Sequence, residues 1–169
     1  DILIVEADEY DRSFLQLQPD IAIITSVDVD HLDIYKNKED LHAAFRQFVS
    51  QIKQKGVLLV EESIVIDFPV PEAGEKFSYS ASTKADYYAE NIKVKEGKMV
   101  FDMIALDVMQ GMISEKKQED LELILPGIHN VSNAVAAAAA AFYLGLSFED
   151  IAQGLSTFEG IKRRFDVHI

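Results

Sequence analysis

The sequence predicts an α/β fold, a mostly parallel sheet flanked by helices with a small antiparallel β excursion. The run Ile21–Thr25 is apolar on both faces, as in parallel strands that helices cover on both sides. An amphipathic helical pattern over Lys38–Lys53 follows it, and then a second apolar run, Val57–Val60. This alternation of strand, helix and strand is typical of α/β domains.

Composition narrows the class of protein. The chain has 169 residues, of which 49% are hydrophobic, so we expect one globular domain. Its net charge of −13 argues against a nucleic-acid or anionic-membrane surface, and the absence of cysteine excludes disulfides and Cys-based zinc sites. No apolar run approaches a membrane span, so we expect a cytoplasmic protein. Because Asp1 leads directly into an apolar run, we also expect a fragment of a longer protein.

Two acidic clusters follow predicted strands. Ile2–Val5 is predicted to be a buried strand that ends in Glu6–Asp11, and Ile21–Thr25 is followed by Asp28, Asp30, His31 and Asp33. If the two strands are parallel neighbours, both clusters lie at one sheet edge, where oxygen ligands and an imidazole predict a metal or phosphate site. The alternative is two unrelated acidic loops in water.

The predicted helix Lys38–Lys53 has one apolar stripe. Leu41, Phe45 and Phe48 fall at helical spacing, Asn37 with Asp40 resembles a capping box, and Gly56 follows as a stop.

The segment from about Ile64 to Leu125 has a different pattern. Its short, partly alternating runs predict strands of an antiparallel excursion: Lys76–Ser80, Tyr87–Val94, Lys98–Ala105 and Leu121–Leu125. Glu96-Gly97 predicts a hairpin turn, and the polar stretch Gln110–Asp120 predicts an exposed connection.

Two helices are predicted near the end of the chain. The alanine-rich run Val131–Leu144 is expected to start at Asn130 or Ser132 as N-cap and to end at Gly145. Ser147 with Asp150 predicts a cap for a second, shorter helix over Ile151–Phe158. Asn130 and Asn133 are interpreted either as a cap and an exposed amide, or as two amides that face one ligand.

The basic run Lys162-Arg163-Arg164 is unusual in so acidic a chain. It is interpreted either as a surface patch or as a phosphate clamp, because guanidinium groups bind phosphate oxygens bidentately.

Four motifs together resemble the Mur ligases of peptidoglycan synthesis: VEADEYDRSFL, ITSVDVDHLDIY, PGIHNVSNAVAAAAAA and FEGIKRRFD. They are most similar to the members that join L-alanine to UDP-N-acetylmuramate. The resemblance implies a P-loop-NTPase-like central ATPase domain over residues 1–160, with 161–169 as the linker into a C-terminal domain. It also implies ATP and Mg²⁺ as cofactors, an acyl-phosphate intermediate, and UDP-N-acetylmuramate and L-alanine as the substrates of the full-length enzyme.

The resemblance also implies roles for site residues. Glu6 and His31 match catalytic Mg²⁺ ligands, and Arg164 matches a catalytic arginine that reaches the nucleotide phosphates. Asn130 and Asn133 match asparagines near the adenine, and His129 belongs to the same nucleotide-binding motif. The nearby aspartates Asp28, Asp30 and Asp33 are expected to orient His31 or to hold metal-bound water.

One family feature is missing from the sequence. No P-loop, G-x-x-x-x-G-K-[ST], occurs in it, so we expect the chain alone to be inactive as a ligase and to bind ATP weakly or not at all. Alternatives remain open: a tripeptide-recycling ligase, a folylpolyglutamate or cyanophycin synthetase, a nucleotide-sugar glycosyltransferase, or a non-catalytic nucleotide-binding module.

Overall fold

The strands of the protein form a mixed sheet, as predicted. The computed structural model describes residues 2–27, 34–109 and 112–160. Both parallel and antiparallel pairs occur among its strands. The chain divides into two compact units, Asp1–Phe77 and Ser78–Ile169, and β3 (Glu75–Ser80) spans the boundary between them. The predicted α/β class is therefore confirmed.

The first unit is built on two parallel strands and one helix. β1 (Ile21–Ile24) pairs in parallel with β2 (Val57–Glu61), with Ile21 opposite Val57. α1 (Lys38–Ser50) follows β1, and the side chain of its N-cap Asn37 accepts a hydrogen bond from the Asp40 amide, as the sequence predicts. The apolar stripe of α1 joins both strands in one core cluster with Ala22, Ile24, Leu58 and Val60.

Burial within the first unit corrects two expectations. Residues 2–5 form no strand, and their side chains are between 52% and 90% exposed. Within the described residues β1 pairs only with β2, so residues 2–5 do not form a further strand beside β1. In β1 itself Ala22 and Ile24 are buried while Ile23 is 37% exposed, so this strand is covered fully on one face only.

The second unit consists mainly of two antiparallel hairpins. β4 (Tyr87–Lys95) pairs with β5 (Lys98–Met109) through a turn at Glu96 and Gly97, whose φ angles of 52° and 79° are both left-handed. Two left-handed central residues define the type I′ hairpin turn, so the predicted turn is confirmed. β5 pairs in turn with β6 (Met112–Leu123).

The prediction that Gln110–Asp120 forms a connection is wrong for the residues that the structure describes, whereas the predicted exposure is confirmed for all of residues 114–120 except Gln118. Residues 112–120 belong to β6. Ion pairs join their polar side chains to β5 and, across it, to β4: Lys117 contacts Asp102 and Glu90, and Lys93 contacts Asp120. The polarity of a segment does not by itself distinguish an exposed loop from a charged strand, because charged side chains in a sheet can pair with residues of other strands.

Two helices complete the second unit. α2 spans Ile128–Tyr143 and α3 spans Phe148–Thr157. The Ser147–Asp150 capping box of α3 and the end of α2 at Gly145, with φ 89°, are confirmed. The predicted N-cap of α2 is wrong: Gly127 occupies that position, and Asn130 lies inside the first turn. Within the described part of the chain, no helix combines the length and apolarity needed to cross a bilayer.

Candidate functional site

A small cleft opens where β1 ends. Thr25 and Ser26 follow the strand directly and line the cleft with Ala7 and Glu9 from the segment that precedes the first helical turns. Its apolar floor is formed by Phe14, Ile23, Ile24, Phe45 and Phe48. The polar end of the cleft is therefore the carboxyl end of a parallel strand, where ligands of such sheets bind.

Glu6, the predicted catalytic carboxylate, lies next to this cleft in the sequence. Its side chain is exposed, and the adjacent Ala7 lines the cleft. The segment that follows is turned tightly, because the Asp8 carboxylate accepts a hydrogen bond from the Tyr10 amide at 2.9 Å and the Asp8 carbonyl accepts one from the Phe14 amide at 3.2 Å. The first acidic cluster is thus a structured turn.

A network that sequence reasoning missed joins this turn to the start of α1. The Arg12 guanidinium contacts the Asp40 carboxylate at 2.6 Å and lies 5.0 Å from the centre of the Tyr35 ring. The Tyr35 hydroxyl donates a hydrogen bond to the Glu9 carbonyl at 2.7 Å. Burial raises the pKa of Tyr35, and the nearby Arg12 charge opposes that rise. The only sequence signal for this network is an arginine within an otherwise acidic segment.

The backbone of the turn is strained. Asp11 and Arg12 both adopt left-handed conformations, with φ 56° and 55°, inside the 3₁₀ segment Tyr10–Gln16. A residue other than glycine in this region costs on the order of 1 kcal/mol, and such residues persist where their surroundings determine the conformation. The contacts of Arg12 and Tyr35 supply such surroundings.

Several predicted site residues lie outside the described residues. These are His31, Arg164 and the three aspartates Asp28, Asp30 and Asp33. Across residues 2–27, 34–109 and 112–160, no three His, Asp or Glu side chains lie together in a way that could hold a metal ion. The proposed pairing of Glu6 with His31 stays a prediction.

The predicted nucleotide-binding residues lie in the first turns of α2, in the second unit. Asn130 is 9% exposed, and its side-chain amide donates a hydrogen bond to the Pro126 carbonyl at 2.7 Å. Asn133 and His129 are exposed. The two asparagines therefore have different environments: Asn130 is buried and hydrogen-bonded to Pro126, just before the helix, and Asn133 is exposed to solvent.

Gly127 determines how this helix begins. Its φ is 101°, and a Cβ atom built there would lie 2.7 Å from Cε1 of His129. Glycine therefore both permits the backbone conformation and leaves room for the imidazole.

Comparison with known proteins identifies the family. The pattern that describes the Mur ligase middle domain matches residues 1–141. The chain belongs to the Mur ligase family. Two similar Mur ligases are named UDP-N-acetylmuramate–L-alanine ligase: that of Parabacteroides distasonis is 40% identical over 169 residues, and that of Rhizobium meliloti is 42% identical over 166 residues. They cover 100% and 96% of this chain, but the chain spans only 35% of the length of each.

Solved structures of Mur ligases share this fold. MurF from Acinetobacter baumannii superposes with a TM-score of 0.66 at 25% identity, covering 90% of this chain and 32% of that one. The murein peptide ligase mpl from Psychrobacter arcticus gives a TM-score of 0.63 at 23% identity, covering 89% and 29% of the two chains. The resemblance stated from the four sequence motifs is therefore confirmed at the level of the family.

Proposed function

We propose that this chain is the middle domain of an ATP-dependent ligase that joins L-alanine to UDP-N-acetylmuramate. The observation that supports it most directly is the similarity to ligases of that name along the whole chain, at 40% identity over 169 residues. Because the chain spans about a third of such relatives, the activity is proposed for the full-length gene product that contains it. That enzyme would act in the cytoplasm, where ATP and nucleotide sugars are available, and would serve peptidoglycan synthesis.

The proposed reaction has two steps. The carboxylate of UDP-N-acetylmuramate attacks the γ-phosphate of ATP, which forms an acyl phosphate and releases ADP. The amino group of L-alanine then attacks the acyl carbon, an amide forms, and phosphate leaves. Negative charge on the transferring phosphoryl group has to be stabilised by a cation and by positively charged side chains.

Glu6 and His31 are proposed to hold Mg²⁺. Glu9, Thr25 and Ser26, whose side chains carry oxygen donors, line the cleft that follows β1, and this supports a Mg²⁺ ion near the Glu6 segment. Oxygen donors of this kind are the ligands that Mg²⁺ prefers. When bound, the ion would neutralise charge on the phosphates.

The first turns of α2 are proposed to bind the adenine. Since the amide nitrogen of Asn130 donates to the Pro126 carbonyl, its oxygen is the atom left to accept from an adenine amino group. Asn133 and His129 are exposed next to it in the helix. Arg164 is proposed to contact the nucleotide phosphates from the linker 161–169, at the end of the domain proposed for 1–160.

The first test compares the chain with the full-length protein. We expect the purified chain to release no ADP, because it contains no phosphate-binding P-loop. The full-length protein should sustain ADP release over many turnovers only when UDP-N-acetylmuramate and L-alanine are both present. Ligase turnover by the chain alone would refute the proposal that this chain is only part of the catalytic domain.

The amino-acid substrate separates the candidate functions. Turnover with a tripeptide and not with L-alanine would identify a recycling ligase, and binding of Mg-ATP without any amide product would identify a nucleotide-binding module. The first result would overturn the proposed substrate and the second the proposed ligase activity, and neither would change the family.

The site assignments are tested by single substitutions in the full-length protein. Glu6→Gln keeps the size of the side chain but removes the charge that would hold Mg²⁺. We expect kcat to fall by about 10²–10³, as when one stabilising group is removed from a charged transition state. Glu62→Gln, an exposed glutamate one residue beyond β2, is the matched control and should keep full activity.

A further inference from the structure

We propose that Arg12 and Tyr35 are positioning residues that hold the Glu6-bearing segment against the start of α1. Together with Asp40 they form what we call the Arg12 clamp. This inference rests on the proposed function, because it assigns the clamp to the metal-binding role of Glu6.

The clamp makes two separate ties between the same two segments. The Tyr35 hydroxyl donates to the Glu9 carbonyl at 2.7 Å, and the Arg12 guanidinium contacts Asp40 at 2.6 Å. The Tyr35 ring lies beneath the guanidinium at 5.0 Å and is 1% exposed. One tie is therefore a partly buried hydrogen bond to the backbone, three residues after Glu6, and the other is a charged contact.

Asp40 and Tyr35 are themselves held in place by other residues of the first unit. Asp40 lies in the first turn of α1, its amide donates to the Asn37 cap at 2.8 Å, and its carboxylate also accepts from the Lys36 amide at 3.3 Å. Tyr35 is buried in the same core cluster as the apolar stripe of α1. A segment tied to these groups is tied to the body of the first unit.

The segment that leads into Glu6 is not part of a sheet. Residues 2–5 form no strand and have exposed side chains, so hydrogen bonding within a sheet does not hold the segment that leads into Glu6. After Glu6, the turn Asp8–Phe14 is closed by its own hydrogen bonds and anchored by Phe14, which packs against Phe45 and Phe48 at ring distances of 5.3 and 5.2 Å. The clamp links this turn to the residues that precede α1.

Strain in the turn supports a functional role. Asp11 and Arg12 are consecutive left-handed residues, and it is this conformation that accompanies the contacts of Arg12 with Tyr35 and Asp40. Unfavourable backbone conformations of this kind cluster at functional sites, where neighbouring contacts maintain them.

The clamp should therefore act on metal affinity. Removal of a group that orients a metal ligand without touching the ion typically lowers the metal affinity by 10- to 100-fold. We expect Tyr35→Phe, which removes one hydroxyl and keeps the ring, to raise the Mg²⁺ concentration for half-maximal activity by roughly tenfold. Its kcat at saturating Mg²⁺ should stay close to that of the wild type.

The test uses the full-length protein and two readouts. The Mg²⁺ dependence of ADP release is measured for wild type, Tyr35→Phe, Arg12→Ala and Arg12→Lys. Mn²⁺ binding is followed by electron paramagnetic resonance in the presence of a non-hydrolysable ATP analogue, so that the clamp is tested even if the amino-acid substrate is misassigned. Arg12→Lys should recover part of the affinity because the charge facing Asp40 is kept while the planar group over Tyr35 is lost.

Matched controls separate positioning from general destabilisation. Tyr88→Phe alters a tyrosine of the second unit that is 5% exposed, and Lys53→Ala removes a surface ion pair with Asp20 in the first unit. Both should keep wild-type Mg²⁺ dependence and Mn²⁺ affinity.

Three results would overturn the inference. The first is equal Mn²⁺ affinity in Tyr35→Phe, Arg12→Ala and the controls. The second is a loss of activity that added Mg²⁺ does not restore and that follows a lowered melting temperature. The third is no saturable Mn²⁺ binding by the wild type. Failure of the proposed function is a different result, because the wild type would then bind Mn²⁺ but not turn over L-alanine.

Discussion

Asp102 is the buried charge whose contribution to stability can be worked out most directly. It lies in β5 and is 7% exposed. Its carboxylate accepts hydrogen bonds from the Asn91 side chain at 2.7 Å and from the Asp120 amide at 3.0 Å, and the Lys117 ammonium lies 3.0 Å away. Burial by itself would raise the pKa of Asp102, but these three partners outweigh it and lower the pKa from 3.8 to about 2.

The depressed pKa gives the size of the effect. Since a tenfold change in proton affinity corresponds to about 1.4 kcal/mol, ionised Asp102 stabilises the fold by about 2 kcal/mol at neutral pH. The folded state binds the proton less tightly than the unfolded state, so this stabilisation is complete above the unfolded pKa of 3.8 and is lost as pH falls through about 2. Asp102→Asn, which cannot ionise, should lack it at every pH.

The assay is urea unfolding of wild type and Asp102→Asn, followed by circular dichroism at pH 7 and pH 2.5. We expect a difference in the free energy of unfolding of about 2 kcal/mol at pH 7 and less than about 1 kcal/mol at pH 2.5. Glu122→Gln is the control, because solvent screens its half-exposed ion pair with Lys98 and the difference should be much smaller. Equal stability at pH 7, or a difference unchanged by acid, would refute the reasoning.

Three further predictions test the fold by urea unfolding. Gly127→Ala should lower the free energy of unfolding by at least about 1 kcal/mol, because its φ is 101° and the new methyl group would meet His129, and wild-type stability would contradict this. Ser147→Ala should cost about 1 kcal/mol by removing the α3 cap, and a neutral result would mean the capping box contributes nothing. Leu58→Ala, at a fully buried position, should cost about 2–5 kcal/mol, whereas Val65→Ala, fully exposed, should change stability by less than about 0.5 kcal/mol.

Local signals in the sequence were sufficient where neighbouring residues decide the structure. Asn37 and Ser147 start helices because their side chains reach amides three residues on, and both caps are present. Glu96-Gly97 forms the predicted hairpin because the turn needs two left-handed residues. The four motifs were likewise sufficient for the family, because they extend along nearly the whole chain.

Local signals failed where distant residues decide. Residues 2–5 have the composition of a buried strand but form none, since a strand needs a paired neighbour that composition does not supply. Residues 112–120 have the polarity of a loop but form part of β6, since ion pairs with other strands satisfy their charges.

The sequence by itself determined the α/β class, the helices, the N-caps Asn37 and Ser147, and membership of the Mur ligase family. The tertiary structure decided which residues contact the turn that follows Glu6. Arg12, Tyr35 and Asp40 are separated by as many as 28 residues, and nothing in their local sequence predicts that they meet. They meet because α1 and the turn after Glu6 share one core in the first unit, and contacts of that kind are a property of the folded chain.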